Sequence, residues 1–447
     1  MIYFIYTYNM LLNRIFDKAL RPINTLYVIL IASFGPYVIA DYGIRLEHIA
    51  IYTVLGCAFL INISNIKDNI SQYHEIYIPI LLLIFIPIIG FFLLEHSVNY
   101  MKVLSQFENY LQPFAIVSIS LLALNGLNYD RLINVFHSVL KLFVMLMVMH
   151  TIVSVLIYFF PEFWLWKMFT GNQVARSIIQ GGGAPFIEAS IKVYNASELA
   201  RLGGRISGIF TQLFEAGYAY SLALISWTYL TDRGTIKYKY LFLVLILLGG
   251  MLTYSKVFLV LGLISFIFLL NKNQIKQVLI LSVSLIFLLY MIANYSDHSV
   301  SNNVYIDRLF DVNDFAFSEI IQIFTSGRLS ADSTIISTMS EVLSNAPIFG
   351  YGYGYTGGSD FALLEVVILG GICGLLAYFY LFFLFFYNTF KVNDRVILKY
   401  YLILFVITAL TSIAAPTITA NRISVIFWIL TTILVLINSK QPQYKAH

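Results

Sequence analysis

Glu215 is a carboxylate inside an otherwise apolar run, which makes it the first candidate for chemistry in this sequence. Its neighbours include Phe210, Leu213, Phe214 and Ala216. An ionisable side chain within a membrane-embedded segment is costly and usually faces a cavity or a charged partner. A carboxylate in such a place is suited to proton transfer. Glu215 is therefore a candidate functional residue, and a structural hydrogen bond is the alternative interpretation.

Other charged residues lie where later apolar runs begin. Asp360 opens one such run and Glu365 follows about one helical turn later. Asp360 can also act simply as an N-cap of the helix that starts there. Lys256 lies at a tight link between two runs, and Arg422 begins the last run.

A phosphate-binding arrangement is predicted around Arg328. Apolar residues at helical spacing predict a short amphipathic helix over residues 331–345, and Arg328 comes just before it. A helix N-terminus offers free N–H groups, and an adjacent arginine adds a bidentate fork for phosphate. The alternative is that Arg328 pairs with Asp332 or Glu341.

Tyrosines alternate with glycines after this helix, at Tyr351, Tyr353 and Tyr355. A tyrosine ring has an apolar face and a polar tip, which suits contact with a sugar ring. An interfacial turn anchored by tyrosines is the alternative interpretation.

The residue types that bind metals or nucleic acid form no recognisable pattern. The two cysteines, Cys57 and Cys373, both lie in apolar runs, and the seven histidines are scattered. We therefore predict no metal site, no disulfide and no cofactor. The formal net charge of +4 is spread over the links between apolar runs. Membrane orientation explains such a distribution, so nucleic-acid binding is not indicated.

The composition predicts an all-α, polytopic membrane protein. The chain has 447 residues, of which 59% are hydrophobic and 11% charged, whereas a soluble domain carries about 25% charged residues. Apolar runs of about 20 residues predict spanning helices. We predict about twelve, at residues 25–40, 48–63, 76–94, 111–127, 134–160, 207–230, 240–253, 256–270, 277–293, 361–387, 400–412 and 421–437.

The lysines and arginines of the short links set the orientation. They concentrate before the first predicted span, after the sixth, eighth and tenth, and at the C-terminus. By the positive-inside rule both termini are cytoplasmic. Two long polar loops, 161–205 and 294–360, then lie on the outer face of one membrane domain that comprises residues 1–447. The first loop is net basic and the second net acidic, which favours their association, although surface charge pairing is weak.

These features together resemble the Wzy-type polymerases of O-antigen and capsular polysaccharide, within the wider polymerase and ligase superfamily. The resemblance covers roughly residues 200–380 and rests on the order and spacing of short motifs. The motifs are Arg205-Ile206-Ser207-Gly208-Ile209-Phe210, Leu252-Thr253-Tyr254-Ser255-Lys256, Gly327-Arg328, Pro347-x-Phe349-Gly350-x-Gly352-x-Gly354, Asp360, and Gly371-Ile372-Cys373-Gly374. Lys256 stands where this family often has arginine, so a bidentate contact is not expected there.

The resemblance implies metal-independent glycosyl transfer at the periplasmic face of a bacterial inner membrane. A sugar hydroxyl of one undecaprenyl-pyrophosphate-linked repeat unit attacks the anomeric carbon of a growing glycan on the same carrier. Undecaprenyl pyrophosphate then leaves. Cations must stabilise the pyrophosphate and a carboxylate must accept the proton. The candidate cations are Arg205, Lys256, Arg308, Arg328 and Arg422, and the candidate bases are Glu215, Asp360 and Glu365. A flippase and a chain-length regulator are the expected protein partners.

Two other functions fit parts of the sequence. An O-antigen ligase uses the same donor but transfers it to lipid A core. Ligases typically carry a His-Asn pair before the last long span, where this chain has Ser359-Asp360. A lipid-linked oligosaccharide flippase or other transporter would need charged groups along a path through the bilayer, and the sequence offers few besides Glu215, Glu365 and Lys141. Polymerase activity is therefore favoured. A purely structural scaffold would leave Glu215 unexplained.

Overall fold

The structure, a computed structural model, describes most of the apolar part of the chain. The described residues are 22–39, 44–62, 66–93, 100–159, 206, 208–210, 213–253, 255–270, 334–355, 362–419 and 421–441. Within them the chain is almost entirely helical, as the composition predicts, and a short two-stranded sheet is the exception.

The helices and strands follow one another in chain order. They are α1 (Pro22–Ala32), β1 (Tyr37–Ile39), β2 (Ile44–Arg45), α2 (Leu46–Ile61), α3 (Ile66–Gln72), α4 (His74–Leu93), α5 (Tyr100–Leu124), α6 (Tyr129–Phe159), α7 (Leu213–Asp232), α8 (Lys239–Leu252), a π-helical turn (Val257–Gly262), α9 (Leu263–Leu269), α10 (Thr334–Asn345), α11 (Ala362–Phe390), α12 (Arg395–Ala414) and α13 (Asn421–Lys440).

Six of these helices are long and apolar enough to cross a membrane: α4, α5, α6, α11, α12 and α13. Each overlaps a predicted span. A seventh span results if α2 and α3, which meet at a bend of 107°, are counted together. α1, α8 and α9 are shorter than a bilayer requires, and α7 is more polar. The predicted span at 277–293 and most of both long loops lie outside the described residues. The total of twelve therefore stays a prediction.

α13 is the central helix of the bundle. It packs against α5, α6 and α11, and most of its side chains are buried, including Trp428. The outer helices instead expose large apolar side chains, such as Phe379 and Phe383 on α11. An apolar surface of this extent suits contact with lipid.

α11 is broken inside its apolar length at Gly371, where φ is 57° and ψ is −148°. The segment 346–355, which we call the Gly-Tyr segment, fills the break. Its Tyr351 N–H donates to the Ile368 carbonyl (2.7 Å), and the Ile372 N–H of α11 donates to the Pro347 carbonyl (2.8 Å). Backbone groups freed by a helix break in a membrane must find partners within the protein. Here the Gly-Tyr segment supplies them.

The β1–β2 hairpin brings Arg45 to the end of the bundle. Its strands are antiparallel, and Tyr37 lies opposite Arg45. The Arg45 guanidinium lies 5.6 Å from the centre of the Tyr37 ring. α2 begins directly after Arg45, so the residues of its first turn are placed beside it.

Candidate functional site

A group of buried ionisable side chains lies where the hairpin meets the first turns of α2, α7 and α13. We call it the polar cluster, and its members are Arg45, Glu47, His48, Glu108, Glu215 and Arg422. The exposed fraction is 7% for Arg45, 0% for Glu47, 5% for Glu215 and 2% for Arg422. Buried charges of this kind persist in a protein only when they compensate one another.

Arg45 and Glu47 form the first ion pair of the cluster. Arg45 Nη1 lies 3.3 Å from Glu47 Oε1. Burial on its own lowers the pKa of Arg45, but the nearby carboxylates, Glu47 first, raise it above its ordinary value. The guanidinium therefore stays charged although it is almost completely out of solvent.

His48 lies between two carboxylates of the cluster. The Arg45 N–H donates to His48 Nδ1 (3.4 Å), so Nδ1 is an acceptor and the neutral ring carries its proton on Nε2. His48 Nε2 lies 3.6 Å from Glu47 Oε1 and 3.6 Å from Glu108 Oε1. Glu108 Oε1 also accepts a hydrogen bond from the Tyr52 hydroxyl (3.3 Å). The imidazole Nε2 thus lies between carboxylates from α2 and α5, although neither is close enough to accept a hydrogen bond from it.

Arg422, in the first turn of α13, connects distant parts of the chain. Its guanidinium donates to the Ile209 carbonyl and, at 3.3 Å, to the Gly35 carbonyl. It also lies 5.8 Å from the centre of the Tyr37 ring. A planar fork that meets two carbonyls and an aromatic face is a geometry that arginine can provide and lysine cannot.

Glu215, in the first turn of α7, faces the same cations. It interacts electrostatically with Arg45 and Arg422, and it is repelled by Glu47. A carboxylate at a helix N-terminus is also stabilised by the helix dipole. This almost completely buried carboxylate therefore lies at a helix end and within electrostatic range of two arginines.

His150, on α6, holds the backbone that Arg422 contacts. The Ile209 N–H donates to His150 Nε2 (3.2 Å), so in the neutral ring the Nδ1 proton points to the Tyr220 hydroxyl (2.8 Å). Gly208 has φ of 64°, and a Cβ there would lie 2.3 Å from His150 Nε2. The sequence Gly208–Phe210 is thus pressed against α6, with its Ile209 carbonyl directed at Arg422.

Some buried polar atoms of the polar cluster have no hydrogen-bond partner in the described part of the chain. They include Arg45 Nε and Glu47 Oε2. Leaving such atoms unmatched costs about 1–3 kcal/mol each, and more when the group is charged. A water molecule or a polar group of a bound substrate would relieve this cost.

The structure brings together two of the predicted site residues, Glu215 and Arg422. Four other predicted site residues, Arg205, Arg308, Arg328 and Asp360, lie outside the described residues. Lys256 is half-buried just before the π-helical turn. Glu365, in the first turn of α11, is not a member of the polar cluster and instead interacts electrostatically with Lys102.

The tyrosines of the Gly-Tyr segment divide into two kinds. Tyr353 is 2% exposed, and its hydroxyl donates to the Ile84 carbonyl of α4 (3.1 Å). Its ring packs against Phe107, so this burial argues against the predicted contact with a sugar. Tyr351 and Tyr355 instead stack on each other, with ring centres 4.6 Å apart, and stay partly exposed. These two remain candidates for sugar contact.

Four members of the polar cluster were not among the predicted site residues: Arg45, Glu47, His48 and Glu108. A usable signal existed, because three of them are nearly consecutive at the start of an apolar run. Such a concentration of charge at the edge of a span is costly. Among the described residues no group of His, Cys, Asp or Glu has the geometry to hold a metal ion.

Neither a protein-family model nor a curated protein matches this chain.

Proposed function

We propose that this protein is a polysaccharide polymerase. It would join undecaprenyl-pyrophosphate-linked repeat units into an O-antigen or capsular glycan at the outer face of a bacterial inner membrane. The observation that supports the proposal is the burial of Glu215 within electrostatic range of Arg422 and Arg45 in the polar cluster. A proton acceptor near cations is the combination that glycosyl transfer from a pyrophosphate requires.

Each side chain has a role in the proposed reaction. Glu215 takes the proton from the attacking sugar hydroxyl, and the C–O bond to the anomeric carbon forms as the bond to pyrophosphate breaks. Arg422 and Arg45 stabilise the negative charge that develops on the leaving pyrophosphate. Because these groups are already fixed by Ile209, Gly35 and Glu47, little reorganisation is needed during the reaction.

The proposed orientation is consistent with this assignment. The link before α2, the start of α7 and the start of α13 all fall on the outer side when the lysine and arginine bias sets the topology. The two long loops, 161–205 and 294–360, are on that side as well. Under this orientation they supply Arg205, Arg308, Arg328 and Asp360 to the same face. The proposed partners are the lipid-linked donor and acceptor, a flippase and a chain-length regulator.

A transporter for a lipid-linked oligosaccharide is the second candidate, and the polar cluster itself favours it. The cluster contains more buried charge than the sequence suggested, and buried charges often line a path for polar cargo. In a transporter the cluster would bind the pyrophosphate without any covalent step. The two functions differ in whether repeat units reach the outer face when the protein is removed.

Deletion of the gene, followed by analysis of lipid-linked and surface glycans, tests the proposal. We expect single repeat units on the surface lipid and no polymer. Polymer retained on undecaprenyl pyrophosphate, with none transferred, would indicate a ligase. Loss of repeat units from the periplasm would indicate a transporter. Complementation with Glu215→Gln and, as a matched control, Asp394→Asn at matched membrane levels separates loss of the base from loss of any carboxylate.

A further inference from the structure

A cavity of about 220 Å³ lies between α4, α11 and α13. Asn438 contributes to it near the end of α13, whereas Arg422 of the polar cluster is in the first turn of that helix. At 1.5 Å per residue, the two positions are about 24 Å apart along the axis. The cavity extends along α13 from Phe427 to Ser439, and its polar rim lies toward the end of that helix opposite the polar cluster. The inference about what it binds does not rest on the proposed function.

The inner wall of the cavity is apolar. It is formed by buried side chains from three helices, and aromatic rings are prominent among them. The wall residues include Leu381, Phe385, Phe427, Trp428 and Leu434. An apolar cavity of about 150 Å³ is large enough to take up benzene. This cavity therefore has room for a segment of hydrocarbon chain.

The mouth of the cavity carries both signs of charge. Glu75, at the start of α4, and Lys391, just after α11, are both exposed there. In the described part of the chain neither forms an ion pair, and the Lys391 ammonium lies 4.1 Å from the centre of the Tyr387 ring. A ligand that matched this mouth would carry an anion for Lys391 and a cation for Glu75.

Amide groups between these charges add hydrogen-bonding capacity. Asn438 Nδ2 donates to the main-chain carbonyl of Asn388 (2.7 Å) and more weakly to its side-chain Oδ1 (3.4 Å), so these residues connect α11 and α13. Gln72 and Ser439 complete the rim. Amide and hydroxyl oxygens accept hydrogen bonds from a primary ammonium, which has three donors, whereas a quaternary ammonium has none.

We infer that this cavity binds one phospholipid with a zwitterionic, primary-ammonium headgroup, as in phosphatidylethanolamine. Part of an acyl chain occupies the apolar wall between α4, α11 and α13. The phosphate meets Lys391, and the headgroup ammonium meets Glu75 and the rim amides. Pockets between spanning helices that combine an apolar wall with charged rim groups are suited to this kind of recognition.

Native mass spectrometry of the purified full-length protein tests the inference. The delipidated protein is titrated with phosphatidylethanolamine, phosphatidylcholine and phosphatidylglycerol of identical acyl chains. We expect one phosphatidylethanolamine to be retained about tenfold more tightly than either competitor, which is the effect of one charge-assisted hydrogen bond. Equal retention of the three lipids, or a preference for phosphatidylglycerol, would overturn the inference.

Three variants assign the binding to this cavity. Glu75→Gln should remove the preference for phosphatidylethanolamine over phosphatidylcholine. Lys391→Gln should weaken the binding of these two lipids about equally. Leu381→Trp fills the apolar wall and should abolish retention; Val435→Trp does the same from α13 if Leu381→Trp fails to fold. The matched control is Lys399→Gln, an exposed lysine on α12 outside the cavity lining. Retention unchanged in Glu75→Gln and in the folded filling variant would place the lipid elsewhere and reject the inference.

Discussion

At one end of the bundle Arg45 and Arg422 lie with Glu215 almost completely out of solvent, whereas at the other end Arg233 meets Asp394 at the surface. Arg233 Nη2 and Asp394 Oδ2 are 2.5 Å apart, and both side chains are about one-third exposed. Glu215 is in the first turn of α7 and Arg233 directly follows its last residue, so this one helix connects the two arrangements. Both arrangements combine guanidinium groups with a carboxylate, and they differ in burial.

Burial decides what each arrangement can do. An exposed ion pair is screened by water and contributes about 0–1 kcal/mol. A buried group of charges is costly to form, and removing one member leaves the others uncompensated. Stability alone therefore gives little reason to keep the polar cluster. Its cost is understandable if the charges act on a substrate, and four predictions test this contrast between the two ends.

The largest effect is expected from Glu215→Gln. Glutamine keeps the shape of the side chain and removes its ability to accept a proton. General-base catalysis contributes about 10²–10⁴-fold, so polymer formation should fall by at least about 100-fold. Surface-glycan laddering at matched membrane levels measures this. Asp394→Asn, the corresponding change at the exposed end, should leave the ladder intact, and an intact ladder in Glu215→Gln would remove Glu215 from the reaction.

The second prediction concerns the stability of the polar cluster. Arg422→Gln removes one guanidinium and leaves Glu47 and Glu215 with too little positive charge. Loss of one partner from a buried pair costs about 3–5 kcal/mol, so thermal unfolding in detergent should occur at a clearly lower temperature. Adding Glu47→Gln should restore part of the loss, because the two residues are coupled. If the fall in unfolding temperature of the double variant equalled the sum of the falls in the two single variants, this account of the cluster would be contradicted.

The third prediction tests the two hydrogen-bonding atoms of His48 separately. Asparagine can keep the acceptor that Nδ1 offers to the Arg45 N–H. Glutamine can keep an N–H group at the position of Nε2, which lies 3.6 Å from Glu47 Oε1 and 3.6 Å from Glu108 Oε1. If the N–H near the two carboxylates stabilises the protein more than the acceptor for the Arg45 N–H does, His48→Gln should be the more stable variant. We expect His48→Asn to lose about 1–2 kcal/mol and His48→Gln about half as much. The reverse order would show that the Arg45 backbone contact dominates.

The helices were predictable because hydropathy is a local property. α4, α5, α6, α11, α12 and α13 overlap predicted spans, and α10 (Thr334–Asn345) lies within residues 331–345, where an amphipathic helix is predicted. The break at Gly371 was not predicted, because it depends on the Gly-Tyr segment filling the gap. The hydropathy of an apolar run is the same whether its helix is continuous or broken.

Only part of the polar cluster was predictable. Glu215 and Arg422 could be identified one at a time, since each charge is unusual in an apolar setting. Their proximity depends on the hairpin that carries Arg45 and on the Ile209 carbonyl, which His150 holds in place. These contacts join residues that are far apart in the chain, so local patterns carry no information about them.

The smallest effect is expected at the exposed end, where Asp394 has two separable roles. Its Oδ1 caps α12 by accepting hydrogen bonds from the N–H groups of Val396 (2.8 Å) and Ile397 (3.2 Å). Its Oδ2 meets Arg233. Asparagine caps helices about as well as aspartate, so Asp394→Asn should lose only the screened ion pair, at most about 1 kcal/mol. Asp394→Ala should lose about 1 kcal/mol more through the cap.

The pH dependence of the same variant completes the comparison. Partial burial raises the pKa of Asp394, but the hydrogen bonds from Arg233 and the α12 amides outweigh it and leave the pKa below its ordinary value. The stabilisation is therefore fully present above the ordinary aspartate pKa of about 3.9, and it is lost as the pH falls through the lower folded value. The difference in unfolding temperature between the wild type and Asp394→Asn should be constant from neutral pH down to about 5 and shrink below about 4. A difference that instead changed near neutral pH would mean that another group, and not the Asp394 carboxylate, controls this end of the bundle.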